Sequence, residues 1–146
     1  MMICKHKKCF KIIFVIYLLL VLVITLIIRE TLEFRGTDNR QLILTPFYEM
    51  HNLITATKPI YWFMQILLNI ILFIPLGVFL PFMYYPYKKL FLLTALTGLI
   101  CSVAIETTQY ITARGITEFD DVINNTLGAM IGFGIYKLII KKVAKK

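Results

Sequence analysis

A glutamate lies inside a helix-length apolar run, and the residues at helical spacing from it are polar. Glu106 lies within the run Leu90 to Ile111, with Ser102 four residues before it and Gln109 three residues after it. Residues at this spacing share one face of a helix. A charged side chain at mid-membrane depth costs about 2.5–3.5 kcal/mol on insertion scales. We therefore expect Glu106 to pair with another polar group or to act as an acid, a base or a charge partner.

Other polar residues are expected at the same level. Asn125 lies one turn after Asp121 in the last apolar run, and Asn69 lies one turn after Gln65 in an earlier run. At 1.5 Å per residue, Glu106, Asn125 and Gln65 all lie roughly 7–8 Å inside their helices, with Asn69 one turn deeper. The residues predicted to form a binding site are Asn69, Ser102, Glu106, Gln109, Arg114, Asp120, Asp121 and Asn125. Glu106 is the candidate catalytic residue.

The elements that must position these side chains are membrane-spanning helices. The chain is 59% hydrophobic and 16% charged, whereas soluble proteins are about 25% charged. Each of its four apolar runs has about 17–24 residues, enough to cross about 30 Å of hydrocarbon. The runs are Ile12 to Ile28, Ile60 to Met83, Leu90 to Ile111 and Val122 to Ile140. We predict an all-α integral membrane bundle of four transmembrane helices, forming one domain over residues 1–146.

The first run is too long for a signal-peptide core, and the loop after it is rich in apolar residues. The first run is longer than the 7–15 residues of a signal-peptide core and no A-x-A-like site follows it, so we expect an uncleaved span. Residues 29–59 then form an outer loop whose apolar content is too high for a free aqueous segment. We expect this loop to lie on the membrane surface or to cap the bundle, with a short interfacial helix over Glu49 to Thr57.

Basic residues are distributed unevenly about the predicted spans. With the amino terminus inside, 11 of the 16 Lys and Arg residues fall in inner segments. The positive-inside rule then places both termini in the cytoplasm. This topology, together with anionic inner-leaflet lipid, accounts for the net charge of +8. Membrane lipids are the expected partners, and no motif indicates nucleic-acid binding.

No cofactor or metal is expected. Cys4, His6 and Cys9 near the terminus make a poor zinc site, since the fourth ligand is missing. Asp120 and Asp121 could bind a divalent cation together with Glu106, because hard cations prefer clustered oxygens. The same two aspartates could instead cap the last helix, where the helix dipole favours negative charge.

Small residues and a proline mark the helix contacts. Gly128 and Gly132, four residues apart, indicate a close helix-packing face. Gly98 and Ser102 form a similar pair on the third span. Pro75 predicts a packing kink in the second span, and the alternative is a broken helix that lines a site.

These motifs together resemble the VanZ-like family of small membrane proteins. The similar strings are NIILFIPLG from Asn69 to Gly77, SVAIETTQ from Ser102 to Gln109, Arg114, and DDVINNTLG from Asp120 to Gly128. Glu118 stands where the family often has an acid two residues before the aspartate pair. The resemblance covers about residues 65–136. It implies a role in the bacterial cell envelope and, for some members, reduced susceptibility to glycopeptides or lipopeptides, teicoplanin among them.

Three functions remain open at this point. The first is a multi-pass protein of the bacterial cytoplasmic membrane with an outer-leaflet polar pocket, which binds a cell-wall precursor, a lipid component or a glycopeptide antibiotic. The second is an enzyme that modifies a lipid-linked or cell-wall substrate, with Glu106 as general acid or base. The third is a structural bundle or assembly partner, in which the polar residues satisfy one another.

Overall fold

Long helices make up most of the protein. The computed structural model describes residues 7–28, 41–85, 88–114 and 116–144. Cys4 and His6, considered above as zinc ligands, and residues 29–40 of the predicted outer loop lie outside the described residues. The elements in chain order are α1 (Lys7–Val23) with a π-helical turn after it (Ile24–Ile28), β1 (Leu42–Ile43), α2 (Tyr48–Thr55), α3 (Pro59–Tyr84), α4 (Leu90–Thr112), β2 (Thr117–Glu118) and α5 (Phe119–Val143).

The four predicted helices of membrane-spanning length are confirmed. Within the described residues, four helical segments are long and apolar enough to cross a membrane: Phe10–Ile27, Pro59–Tyr84, Leu90–Thr112 and Phe119–Val143. Their mean hydropathy falls from 3.0 in the first to 1.2 in the last. The last span is the least apolar because its first two turns carry two aspartates and two asparagines.

The closest helix packing joins α3 and α5, the second and fourth spans. A Cβ atom placed on Gly128 would overlap the carbonyl oxygen of Ile70, and one on Gly132 would overlap that of Ile74. The two backbones therefore touch, as the glycine spacing predicted. The third helix, α4, joins the same face, since a Cβ on Gly98 would lie 2.8 Å from the Cβ of Ala129.

Helix α3 continues through Pro75 as one element from Pro59 to Tyr84. This agrees with the packing interpretation of Pro75 and not with a broken helix. On its other side α3 receives α1, where the hydroxyl of Tyr17 donates to the carbonyl of Leu72 at 2.6 Å. The apolar core between these helices is formed by Val21, Phe73, Leu76, Ile105 and Ala129.

One end of the bundle is covered by the loop segments, and we call it the capped end. There β1 and β2 pair in parallel, with Leu42 opposite Thr117, a short strand pair that the sequence did not predict. Helix α2 packs against the start of α3, where the ring of Tyr48 meets Trp62 edge-on at 5.7 Å. The helix predicted over Glu49 to Thr57 therefore exists, one residue earlier at its start and two residues shorter at its end.

Candidate functional site

Glu106 lies at the capped end of α4, and its carboxylate faces the segment that leads into α5. Its side chain is 4% exposed. Its Oε2 accepts the backbone N–H of Glu118 at 3.0 Å. Its carbonyl oxygen accepts the hydroxyl of Thr117 at 3.2 Å. A carboxylate near the amino-terminal end of a helix is favoured by the helix dipole. Glu106 therefore holds β2 against α4 through both its side chain and its backbone.

Three further carboxylates meet beside this contact, and we call them the acidic centre: Glu49 from α2, Glu118 from β2 and Asp121 from α5. Each contributes a carboxylate oxygen within 4.8 Å of the others. Their side chains are only 1%, 3% and 0% exposed. Like charges this close disfavour the fully ionised state, so the arrangement requires shared protons or nearby positive charge.

Two side-chain amides hold the acidic centre in place. The Nδ2 of Asn69 donates to Oδ1 of Asp121, which joins α3 to α5 nearer the capped end than the predicted depth of Asn69. The Nδ2 of Asn124 donates to Oε2 of Glu49 at 2.6 Å, which joins α2 to α5. Hydrogen bonds to charged groups are worth about 1.5–3 kcal/mol each. The centre is therefore a positioned set of oxygens supplied by several elements.

Asp120 does not share the acidic centre with its neighbour Asp121. Its Oδ1 accepts the N–H of Phe47 at 2.7 Å, and its Oδ2 accepts the N–H of Glu49 at 2.8 Å. Adjacent residues on a helix point about 100° apart, so the two aspartates face different partners. Phe47 has a φ of 60°, an unusual backbone conformation for a bulky residue. Asp120 thus fixes the start of α2 and thereby places Glu49.

A second polar layer lies one turn further into the bundle. The Nδ2 of Asn125 donates to Oγ of Ser102 at 2.8 Å. Asn125 follows Asp121 by four residues, and Ser102 precedes Glu106 by four, so this pair is one helical turn away from the acidic centre. Among the described residues, Oδ1 of Asn125 accepts no hydrogen bond. The two predicted residues therefore bind each other across α4 and α5.

Gln109 and Arg114 lie toward the first span and the end of α4. The Nε2 of Gln109 donates to the carbonyl of Thr25 at 3.1 Å, which ties α4 to the π-helical turn after α1. The side chain of Arg114 is exposed, and its backbone N–H donates to the carbonyl of Gln109 at 2.9 Å. Both lie at the capped end.

Glu49 and Asn124 were not predicted from the sequence to belong to the site. Glu118 was noted only because the family often has an acid at that position. Glu49 stands among the apolar residues Phe47, Met50 and Leu53. A carboxylate with apolar neighbours is the same signal that identified Glu106. The part of the chain that is described contains five acidic side chains, and all five are buried: Glu49, Glu106, Glu118, Asp120 and Asp121.

The chemistry available at the site follows from its oxygens. Clustered carboxylates suit a hard cation or a protonated amine. The cation site considered from the sequence combined Glu106, Asp120 and Asp121. In the structure, the carboxylate of Asp120 accepts hydrogen bonds from the backbone at the start of α2. The carboxylates that lie close to that of Asp121 belong to Glu49 and Glu118.

Comparison with known proteins agrees with the resemblance carried by the motifs. The VanZ/LLP1 family matches over residues 14–140. Protein VanZ of Enterococcus faecium is 36% identical over 108 residues, an alignment that covers 73% of this chain and 59% of that protein. The alignment therefore spans less than two thirds of the relative's length. No solved structure matches the chain significantly.

Proposed function

Because the chain belongs to the VanZ/LLP1 family, we propose that it is a multi-pass protein of the bacterial cytoplasmic membrane that binds a cell-envelope component at its acidic centre. The observation that carries this proposal is the meeting of Glu49, Glu118 and Asp121 at one end of an apolar bundle. Burying three carboxylates together carries a desolvation cost, which a binding role would explain.

The proposed orientation places the capped end outside the cell. Both termini then lie in the cytoplasm, as the bias of 11 inner against five outer basic residues favours. The acidic centre would lie at the level of the outer leaflet, where wall precursors, phospholipid head groups and antibiotics that act on the wall are found. A site facing the cytoplasm would not meet antibiotics that act on the wall from outside.

The charge of the acidic centre specifies the ligand group that fits it. Carboxylates bind ammonium groups and repel phosphates, so the group that reaches the centre is positively charged. Amino groups of a wall-precursor peptide or of a glycopeptide antibiotic meet this requirement. The exposed Arg114 at the same end is suited to an anionic part of the same ligand, such as a phosphate or carboxylate. Protection against teicoplanin-type antibiotics is the corresponding phenotype.

A carboxylate-to-amide exchange at the centre tests binding. Asp121→Asn keeps an oxygen to accept from Asn69 but removes the charge. Losing one partner of a buried charge pair costs about 2–5 kcal/mol, so binding of teicoplanin or a lipid-linked wall precursor to the protein in nanodiscs should weaken roughly 30-fold or more. Lys58→Gln, which removes an exposed charge near the start of α3, is the control. Unchanged affinity for every ligand that the parent chain binds would refute the proposal.

A second candidate function is acid–base chemistry on a lipid-linked or cell-wall substrate. It is favoured by the position of Glu106, whose carboxylate contacts the backbone of Glu118 beside the acidic centre. Carboxylates in unlike surroundings are the usual arrangement of an acid and a base. Profiles of lipids and wall fragments by mass spectrometry, with and without Glu106→Gln, distinguish the two functions. An enzyme produces an altered product that disappears in the variant, whereas a binding protein produces none.

The purely structural alternative predicts a different result for the same variants. If the polar residues serve only stability, both Asp121→Asn and Glu106→Gln deplete the protein from the membrane. Immunoblots of membrane fractions measure this loss. Variants present at parental abundance but without binding or product exclude the structural alternative.

A further inference from the structure

Helix α2 presents three different faces around its short length. Glu49 points into the acidic centre and is 1% exposed. Phe47, Met50 and Ile54 are 66%, 48% and 79% exposed. Met50 and Ile54 are four residues apart on α2 and share one face, and Phe47 directly precedes the helix. We call these three residues the apolar stripe. His51 and Thr55, also exposed, lie on the adjacent edge of the helix, beside the apolar stripe.

The depth of α2 is set by its contact with the second span. The ring of Tyr48 lies edge-on against that of Trp62, with centroids 5.7 Å apart. Trp62 is three residues into α3, which is roughly 4–5 Å along its axis. Tryptophan and tyrosine rings favour the boundary between hydrocarbon and water. Helix α2 therefore lies at that boundary and not above it in water.

The apolar stripe continues a surface that already faces lipid. At the capped end of α3, Ile60, Phe63 and Met64 are 66%, 47% and 42% exposed on a helix of membrane-spanning length. Only three residues separate the end of α2 from the start of α3, so the chain allows at most about 14 Å between them. Leu44, just before α2, is 63% exposed and extends the surface further.

The backbone at Phe47 agrees with an apolar environment for its ring. A left-handed conformation is unfavourable at a bulky residue. The contact of its N–H with Asp120 holds that conformation, yet the ring itself is two-thirds exposed. Turning an aromatic ring outward at this cost is favourable where it meets hydrocarbon and unfavourable where it meets water.

We propose that the apolar stripe of α2 docks into the lipid leaflet at the capped end of the bundle. In the proposed orientation this is the outer leaflet, but the lipid contact does not depend on the orientation or on what the acidic centre binds. Amphipathic helices of this kind lie in the interface with the apolar face buried by about 5–10 Å. Glu49 is on the same helix, so lipid contact with α2 would also hold Glu49 in place in the acidic centre.

Depth-dependent quenching tests the proposal. Ile54→Cys and, as the matched control on the polar edge, Thr55→Cys are made in the full chain with Cys4, Cys9 and Cys101 changed to serine. Each is labelled with an environment-sensitive fluorophore in phosphatidylcholine and phosphatidylglycerol vesicles. The probe at residue 54 should emit at shorter wavelength than the probe at 55 and lose most of its fluorescence with brominated lipid. Aqueous iodide should quench the probe at 55 more strongly.

Two outcomes overturn the proposal. Equal quenching of both probes by iodide would place the stripe in water. Quenching of the probe at 54 by neither iodide nor brominated lipid would show that protein covers the stripe, for example a second copy of the chain. Both labelled residues are exposed, so the labels do not require repacking of the core.

Discussion

At the scale of single residues, the polar site is a set of directional hydrogen bonds to buried charge. Asp121 is fully buried and accepts from Asn69 across two spans. Asn124 contributes the equivalent bond to Glu49. A buried carboxylate that loses a donor keeps its desolvation cost without compensation. The hydrogen bonds from Asn69 and Asn124 therefore help to stabilise the buried charge of the acidic centre.

Removing one amide should be measurable as lost stability. We expect Asn69→Ala to lower the free energy of unfolding by about 1.5–3 kcal/mol, because Asp121 loses a donor. The transition temperature in detergent measures this change. Leu68→Ala, at a half-exposed neighbouring position of the same helix, should have a smaller effect.

A double substitution separates the bond from the packing of the side chain. In an Asp121→Asn background the further loss caused by Asn69→Ala should shrink, since the buried charge is already absent. Equal losses in both backgrounds would show that the contact with Asp121 contributes nothing specific.

At the scale of elements, the site depends on how closely α3 approaches α5. Gly128 and Gly132 allow their backbones to touch the carbonyl oxygens of Ile70 and Ile74. Asn69 lies beside Ile70, so its reach to Asp121 requires this short distance between the helices. The sequence indicated the glycine face but not which helix would pack on it. The closest contact joins the second span to the fourth.

Two glycines on α5 allow a matched test of this packing. A Cβ on Gly132 would overlap a backbone oxygen of α3, whereas one on Gly134 would meet nothing within 4 Å. Gly132→Ala should destabilise the protein by about 1–3 kcal/mol through overpacking. Gly134→Ala should be neutral or stabilising by up to about 1 kcal/mol, because alanine favours the helix. Thermal unfolding in detergent compares them, and equal effects would contradict the observed packing.

At the scale of the whole molecule, the proposed orientation determines which compartment the acidic centre meets. Four spans place both ends of the chain on one side of the membrane, and the distribution of lysines favours the cytoplasm. The capped end, with α2 and the strand pair, then faces outward. Every interpretation of the centre as a site for envelope components depends on this orientation.

Cysteine labelling in intact cells tests the orientation. With the native cysteines changed to serine, Thr57→Cys beside α2 should react with a membrane-impermeant maleimide. Lys88→Cys between α3 and α4 and Lys142→Cys near the end of α5 should react only after lysis, because the proposed orientation places both on the cytoplasmic side. Labelling of Lys142→Cys before lysis would reverse the orientation.

The sequence by itself determined the class of the protein and the position of most polar side chains along their helices. Apolar length is a local property, so the four long helices followed directly, and helical periodicity placed Ser102 and Asn125 one turn from Glu106 and Asp121. It did not give the pairing of Asn69 with Asp121. Tertiary structure decided which carboxylates meet. Glu49 reaches α5 from a loop more than 70 residues away, and Asp120 separates from Asp121 to cap α2. Helical spacing specifies direction within one element, whereas the return of a loop depends on long-range contacts that no local pattern encodes.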